Sequence, residues 1–122
     1  MERVTGVGGI FFKAKDPQAL GAWYERHLGI CLGWETGALF KWEERGGTVW
    51  SPFKHDTKYF EPSNAPFMVN FRVVNLQRML EQLHAGGVEI DPNTEESGFG
   101  KFGWCMDPEG NRVELWEPPA EQ

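Results

Sequence analysis

The fold is decided by one stretch near the end of the chain, Asp107-Pro108-Glu109-Gly110-Asn111-Arg112-Val113-Glu114-Leu115-Trp116. Its proline, glycine and asparagine lie close together and predict a tight hairpin turn. The apolar alternation that follows predicts a last strand. Glu114 lies in the middle of that strand between apolar residues. A carboxylate in such a position is a metal ligand, a catalytic base or an ion-pair partner.

Length and composition predict one soluble globular domain. The 122 residues suffice for one domain, and six Trp and nine Phe provide ample apolar surface to bury. The net charge of −6 argues against nucleic acid or an anionic membrane as a partner, because both require a basic face. No apolar run is long enough to span a bilayer, and no signal peptide is evident. We therefore expect a cytoplasmic protein in which Cys31 and Cys105 are free thiols.

The chain contains a weak internal repeat. In the first half a predicted strand at residues 7–14 is followed by Asp16-Pro17, a favourable helix start, and then by an amphipathic stripe that ends at Gly29. In the second half a predicted strand at residues 67–74 is followed by the helix cap Asn75 and a stripe of the same spacing.

Three short strand candidates follow each predicted helix, so that the pattern is βαβββ written twice. These candidates are residues 31–35, 38–43 and 48–51 in the first half, and 88–91, 102–106 and 112–116 in the second. Neither half alone buries enough surface, so residues 1–122 are expected to form a single domain. Module one covers about residues 4–52 and module two about residues 66–118. Residues 53–65, which hold proline and aromatic residues, are expected to form a strap that lies on the protein.

Three stretches resemble the vicinal oxygen chelate superfamily: Phe12-Lys13-Ala14-Lys15-Asp16, Trp23-Tyr24-x-x-x-Leu28-Gly29, and the closing motif from Asp107 to Leu115. This superfamily includes glyoxalase I, extradiol dioxygenases and the fosfomycin and bleomycin resistance proteins. The resemblance extends over nearly the whole chain. It implies an α+β fold in which two tandem βαβββ modules form a curved mixed sheet around a cleft.

Enzymes of this superfamily bind a divalent metal through the first and last strands of each module. The resemblance places Gly9, Trp50, Met68 and Glu114 at those positions. Only Glu114 can bind a hard divalent cation, and a catalytic metal normally has three protein ligands. We therefore expect no cofactor. A divalent metal completed by unexpected ligands is the alternative.

Strand alternation divides the side chains between two faces of the sheet. Val69, Phe71, Val113 and Leu115 are predicted to pack on the helices. Glu114 is the candidate catalytic residue on the opposite, cleft-facing side. The predicted ligand-binding residues around it are Phe11, Lys13, Trp50, Met68, Asn70, Arg72, Trp104, Arg112 and Trp116.

Simpler structural interpretations exist for several of these residues. In the alternative to a catalytic role, Glu114 is a structural residue that forms an ion pair with Arg72 or Arg112. Cys105 is expected to be a buried, unreactive thiol. Residues 98–103 match G-x-G-x-x-G, but an acidic loop precedes them and a strand follows. They therefore predict a flexible hairpin loop, one able to cover the cleft, and not a dinucleotide site.

Together these features predict a glyoxalase/bleomycin-resistance-like protein that binds a small molecule in an aromatic cleft without a catalytic metal. One alternative is a lyase, isomerase or dioxygenase in which Glu114 acts as base or metal ligand. Another is an interaction module whose exposed aromatic residues contact a partner protein. We also expect a homodimer, because relatives pair modules from two chains and an open sheet has edges to protect.

Overall fold

Within residues 1–33 and 36–120, which the computed structural model describes, the chain forms two α-helices and four β-strands. The strands make one mixed sheet in which β1 is parallel to β4 and the other neighbours are antiparallel, in the order β1-β4-β3-β2. The predicted α+β class is therefore confirmed. In chain order the elements are α1 (Pro17–Leu28), β1 (Val69–Arg72), α2 (Leu76–Ala85), β2 (Glu95–Ser97), β3 (Gly100–Met106) and β4 (Arg112–Glu117).

Both helices begin at the predicted caps. At the start of α1 the Asp16 side chain accepts a hydrogen bond from the backbone N–H of Ala19 at 3.1 Å. At the start of α2 the Asn75 side chain accepts one from the backbone N–H of Arg78 at 3.0 Å. Helix α1 ends at Gly29, whose φ of +70° is left-handed. In the described ranges neither helix has the length and apolar character needed to cross a membrane.

The core lies between the helices and one face of the sheet. Cys105, Val113 and Leu115 on this face are at most 1% exposed, and they pack with Leu76 and Leu83 of α2. Partly buried residues of α1 and of β1, including Phe71, complete this cluster. The predicted division of β1 and β4 into a helix-facing side and an opposite side is therefore confirmed.

The first half of the chain differs from the prediction. None of the described segments 7–14, 38–43 and 48–51 forms a strand, and residues 34 and 35 of the fourth candidate lie outside the described residues. Apart from α1 and an isolated bridge at Gly37, the described part of this half is irregular chain. A strand is stable only beside a hydrogen-bonded neighbour, and the glycines in and around these segments weaken any pairing further.

The second half is close to the prediction, with local differences. Residues 88–91 contribute only a single bridge, between Ile90 and Cys105. The acidic segment 95–97, predicted as a loop, forms β2. The predicted hairpin is present as a tight turn in which Ser97 lies opposite Gly100, and residues 100–103 belong to β3. Gly100 has a φ of +117°, and a side chain there would collide with the carbonyl oxygen of Glu117, so the hairpin requires glycine at this position.

Candidate ligand-binding site

The face of the sheet that points away from the helices carries four of the polar residues predicted for the cleft, Asn70, Arg72, Arg112 and Glu114, whereas Lys13 lies outside the sheet. Asn70 of β1 and Glu114 of β4 are partners in the parallel register, and Trp104 of β3 lies opposite Glu114. Regular strand pairing therefore places an amide, a carboxylate and an indole side by side.

Glu114 is buried, with 7% of its surface exposed, and uncharged donors occupy both of its carboxylate oxygens. The amide of Asn70 donates to Oε1 at 2.7 Å, while the indole N–H of Trp104 donates to Oε2 at 2.9 Å. The hydroxyl of Tyr59 also donates to Oε2, at 2.6 Å. Hydrogen bonds to a charged acceptor are the stronger kind, so this cluster holds the carboxylate in place without a cation.

The structure shows other partners for the two arginines that the structural alternative to a catalytic role pairs with Glu114. Arg72 pairs with Glu43 at 3.0 Å on the surface, and Arg112 pairs with Asp91 at 3.1 Å. The guanidinium of Arg112 also lies over the indole of Trp104, with its carbon 5.0 Å from the ring centroid.

Tyr59 is the site residue that the sequence reasoning missed. It lies in the strap, where its ring stacks on Phe53 at 5.7 Å and meets Trp104 edge-on at 6.1 Å. Burial, and after it the hydrogen bond to Glu114, raise the pKa of Tyr59 above its ordinary value. The hydroxyl is therefore a donor throughout the physiological range. The aromatic cluster of the strap was the one signal in the sequence that pointed to this contact.

The other predicted ligand-binding residues are spread over the structure. Trp116 is half-buried; it stacks on Phe102 at 6.2 Å and donates its indole N–H to the carbonyl of Phe99 at 2.8 Å. Met68 is half-buried just before β1. By contrast, three residues of the first half are exposed, and within the described ranges no hydrogen bond or aromatic contact joins them to Glu114: Phe11, Lys13 and Trp50.

The residues at the metal positions of the superfamily do not fit a divalent cation. Gly9 has no side chain, Trp50 offers only an N–H donor, and Met68 is a soft thioether. The oxygens of Glu114 face three protons, which would repel a cation. Across residues 1–33 and 36–120, no group of three or more His, Cys, Asp or Glu side chains lies close enough together to hold a metal ion.

Asp107, a second buried carboxylate, is 5% exposed and belongs to the closing turn. It accepts hydrogen bonds from the Tyr24 hydroxyl and the Asn111 amide, both at 2.8 Å, and from the backbone N–H groups of Glu109 and Asn111. Asp107 therefore shapes the turn and fixes α1, and it makes no contact with the Glu114 cluster.

Beside the Arg112 guanidinium lies a small open cavity of about 210 Å³. Cys105 contributes to its wall, and burial raises the pKa of this thiol to about 12, in line with the predicted unreactive cysteine. The Nε atom of Arg112 is buried and has no hydrogen-bond partner among residues 1–33 and 36–120. The other lining residues are Pro62, Glu89, Ile90, Asp91, Pro92 and Met106.

Comparison with solved structures shows the same fold in proteins of low sequence identity. TnmS3, an antibiotic binding protein from Streptomyces sp. CB03234, matches with a TM-score of 0.63 and 15% identity, over 98% of this chain and all of the other (100%). A glyoxylase/bleomycin resistance protein/dioxygenase domain from Frankia sp. EAN1pec matches with a TM-score of 0.58 and 16% identity, over 98% of this chain and 96% of the other. At these sequence identities, both matches show that the fold is shared and nothing beyond the fold.

The fosfomycin resistance protein FosX from Listeria monocytogenes matches only in part, with a TM-score of 0.41 and 21% identity. That match covers 48% of this chain and 51% of FosX, so the chain spans about half the length of this relative. No curated protein matches the chain.

The family model described as the glyoxalase-like domain matches residues 9–116, which is most of the chain. This match and the full-length structural neighbours confirm the resemblance drawn from the closing motif and the repeat. The chain belongs to the glyoxalase-like domain family of the vicinal oxygen chelate superfamily.

Proposed function

We propose that this protein binds a small aromatic molecule on the sheet face around Glu114, and that it does so without a catalytic metal. The observation that carries the proposal is the environment of Glu114, a buried carboxylate surrounded by aromatic rings and held by three uncharged donors. A few fixed polar groups within aromatic walls are typical of small-molecule sites.

The same environment disfavours catalysis by Glu114. A general base must reach the proton that it removes, and both oxygens of this carboxylate already accept hydrogen bonds. A lyase or dioxygenase that used Glu114 as a metal ligand would first have to remove these donors. The fold shared with TnmS3, itself an antibiotic binding protein, agrees with binding.

We also propose that a second copy of the chain covers the exposed aromatic residues of the first half. The accessible surface of the chain is 9937 Å² at 13.9 kDa. A folded monomer of this mass is expected to expose roughly 6,700 Å². The difference amounts to roughly 6,500 Å² over two copies, which is at the upper end of, or above, the total area that permanent homodimer interfaces bury. Phe11, Trp42 and Trp50, which are 79–95% exposed, are the residues that such an interface would cover.

The proposal of metal-free binding is tested by two measurements on protein purified without chelator. Elemental analysis is expected to find no stoichiometric Ni, Zn, Fe or Mn. 2-Naphthol, chosen as an aromatic probe, is expected to raise the melting temperature equally before and after EDTA treatment, because ligand binding stabilises the folded state. A stoichiometric metal that is lost in Glu114→Ala would overturn the proposal and favour the enzyme.

The binding face is tested by a matched pair of variants. Trp116→Ala removes a half-buried ring from the proposed site and is expected to weaken probe binding. Phe99→Ala removes a neighbouring ring that is 78% exposed, and it should leave binding unchanged.

Sedimentation equilibrium at micromolar concentration tests the homodimer, which a mass of 13.9 kDa would contradict.

A further inference from the structure

The phenol of Tyr59 reaches Glu114 from the strap. Its hydroxyl lies 2.6 Å from Oε2, and its ring meets the Trp104 ring at 86°. The ring of Phe53 stacks on it at 27°. The site thus combines one strong acceptor with aromatic walls, and a phenol satisfies both.

Of the three donors to Glu114, Tyr59 is the one that can be replaced. Asn70 and Trp104 lie on strands hydrogen-bonded to the strand of Glu114 itself, and Trp104 is only 2% exposed. Tyr59 lies in the strap, whose backbone hydrogen bonds are short-range turns such as Thr57 to Lys54 and Glu61 to Lys58. Moving the strap breaks no sheet ladder.

We infer that the ligand of this face is an uncharged hydroxylated aromatic ring, and that it binds by displacing Tyr59 from Glu114. The inference rests on the proposed function and names its ligand class. A hydroxyl donor restores the hydrogen bond that Tyr59 gives up, whereas a carboxylate or phosphate would meet the negative charge of Glu114. A ring with an ether in place of the hydroxyl would leave Oε2 of a buried carboxylate without its second donor, which is costly.

Displacement also sets the measured affinity. When the binding-competent state is only a fraction of the population, the apparent affinity falls by that fraction. Weakening the contact between Tyr59 and Glu114 increases the open population, so it raises the apparent affinity for any ring that enters the site. The preference for a hydroxyl is a separate quantity that depends on Glu114.

The test is a titration of the full chain with 2-naphthol and with 2-methoxynaphthalene, which has the same ring system without the donor. Binding is followed by NMR at the Trp104 indole N–H and the Asn70 side-chain amide, the two groups that share Glu114 with Tyr59. The proteins are the wild type, Tyr59→Phe, Glu114→Gln and the control Tyr24→Phe. Tyr24→Phe removes the phenol hydroxyl from a different buried carboxylate, Asp107.

The wild type is expected to bind 2-naphthol about tenfold more tightly than its methyl ether, the ratio that a hydrogen bond to a charged group provides. Glu114→Gln should reduce this ratio to about threefold, because the acceptor becomes neutral. Tyr59→Phe should raise the affinity of both probes about tenfold, whereas Tyr24→Phe should change neither.

Each contrary result has its own meaning. Equal affinity of the two naphthalenes for the wild type would overturn hydroxyl recognition and leave aromatic binding intact. No change in affinity in Tyr59→Phe would overturn the displacement of Tyr59. If neither probe shifts the two resonances in any of the four proteins, the proposed function itself is wrong. The wild-type comparison does not depend on the folding of Glu114→Gln.

Discussion

The hydroxyl of Tyr24 donates a 2.8 Å hydrogen bond to Asp107 and thereby joins helix α1 of the first half to the closing turn of the second. Burial, and after it this hydrogen bond, raise the pKa of Tyr24, so the phenol remains a donor. Because most of the first half is irregular chain, this contact is one of the few polar links that position α1 on the sheet.

Replacing Tyr24 with phenylalanine is therefore expected to lower the free energy of unfolding by about 2 kcal/mol, the contribution of a hydrogen bond to a charged group. Urea unfolding measures the change. Thr5→Val removes a hydroxyl from an exposed side chain and should have no comparable effect. Equal stabilities of Tyr24→Phe and the wild type would show that this link is dispensable.

Glu109 caps the same helix from across the domain. Its two carboxylate oxygens accept the backbone N–H groups of Lys15 and Asp16 at 2.8 and 2.9 Å, where the helix dipole favours a negative charge. We expect Glu109→Ala to cost about 1 kcal/mol of unfolding free energy, measured by urea denaturation. Glu81→Ala on the exposed side of α2 is the matched control, and similar losses in both variants would contradict the capping role.

The hairpin between β2 and β3 depends on the left-handed backbone at Gly100. A methyl group there would collide with the carbonyl of Glu117 and lie 2.9 Å from Trp116 Nε1. Gly100→Ala is thus expected to cost at least about 2 kcal/mol of unfolding free energy. Gly98→Ala in the same turn meets no atom within 4 Å and should be nearly neutral in the same thermal or urea unfolding experiment. A neutral Gly100→Ala would show that the turn relaxes freely.

The sequence predicted those parts of the fold that depend on local pattern. The caps Asp16 and Asn75 follow from side-chain chemistry next to a helical stripe, and the buried face of β4 follows from alternation. The strands of the first half were predicted from short apolar segments and from the internal repeat. Strand formation also requires a neighbour in space, which local pattern does not contain.

The partners of Glu114 could not be predicted for a similar reason. The structural alternative paired it with Arg72 or Arg112, yet these arginines pair with Glu43 and Asp91, and Tyr59 reaches Glu114 from 55 positions away. Tyr59 lies in irregular chain, where no periodicity assigns a side chain to a face. Long-range contacts of this kind depend on the path of a loop, and only the three-dimensional structure provides it.

The buried thiol of Cys105 makes stability depend on alkaline pH. Burial raises its pKa from the ordinary 9.0 to about 12. Below pH 9 the thiol is protonated in both the folded and the unfolded chain, so its contribution does not change with pH. Between pH 9 and about 12 only the unfolded chain releases the proton, so stability falls as pH rises, by at most about 1.4 kcal/mol per pH unit. The raised pKa values of Tyr24 and Tyr59 act in the same direction above pH 10.

Urea unfolding between pH 8 and 11 is therefore expected to show a smaller loss of stability in Cys105→Ala than in the wild type. Cys31→Ala removes the exposed thiol, and its unfolding free energy should fall with pH as steeply as that of the wild type. A thiol reagent at pH 8 should modify one cysteine in the folded protein and two after denaturation. Rapid modification of both thiols in the folded state would mean that the sheet opens around Cys105. If the unfolding free energy falls equally with pH in all three proteins, the Cys105 proton does not contribute to the pH dependence of stability.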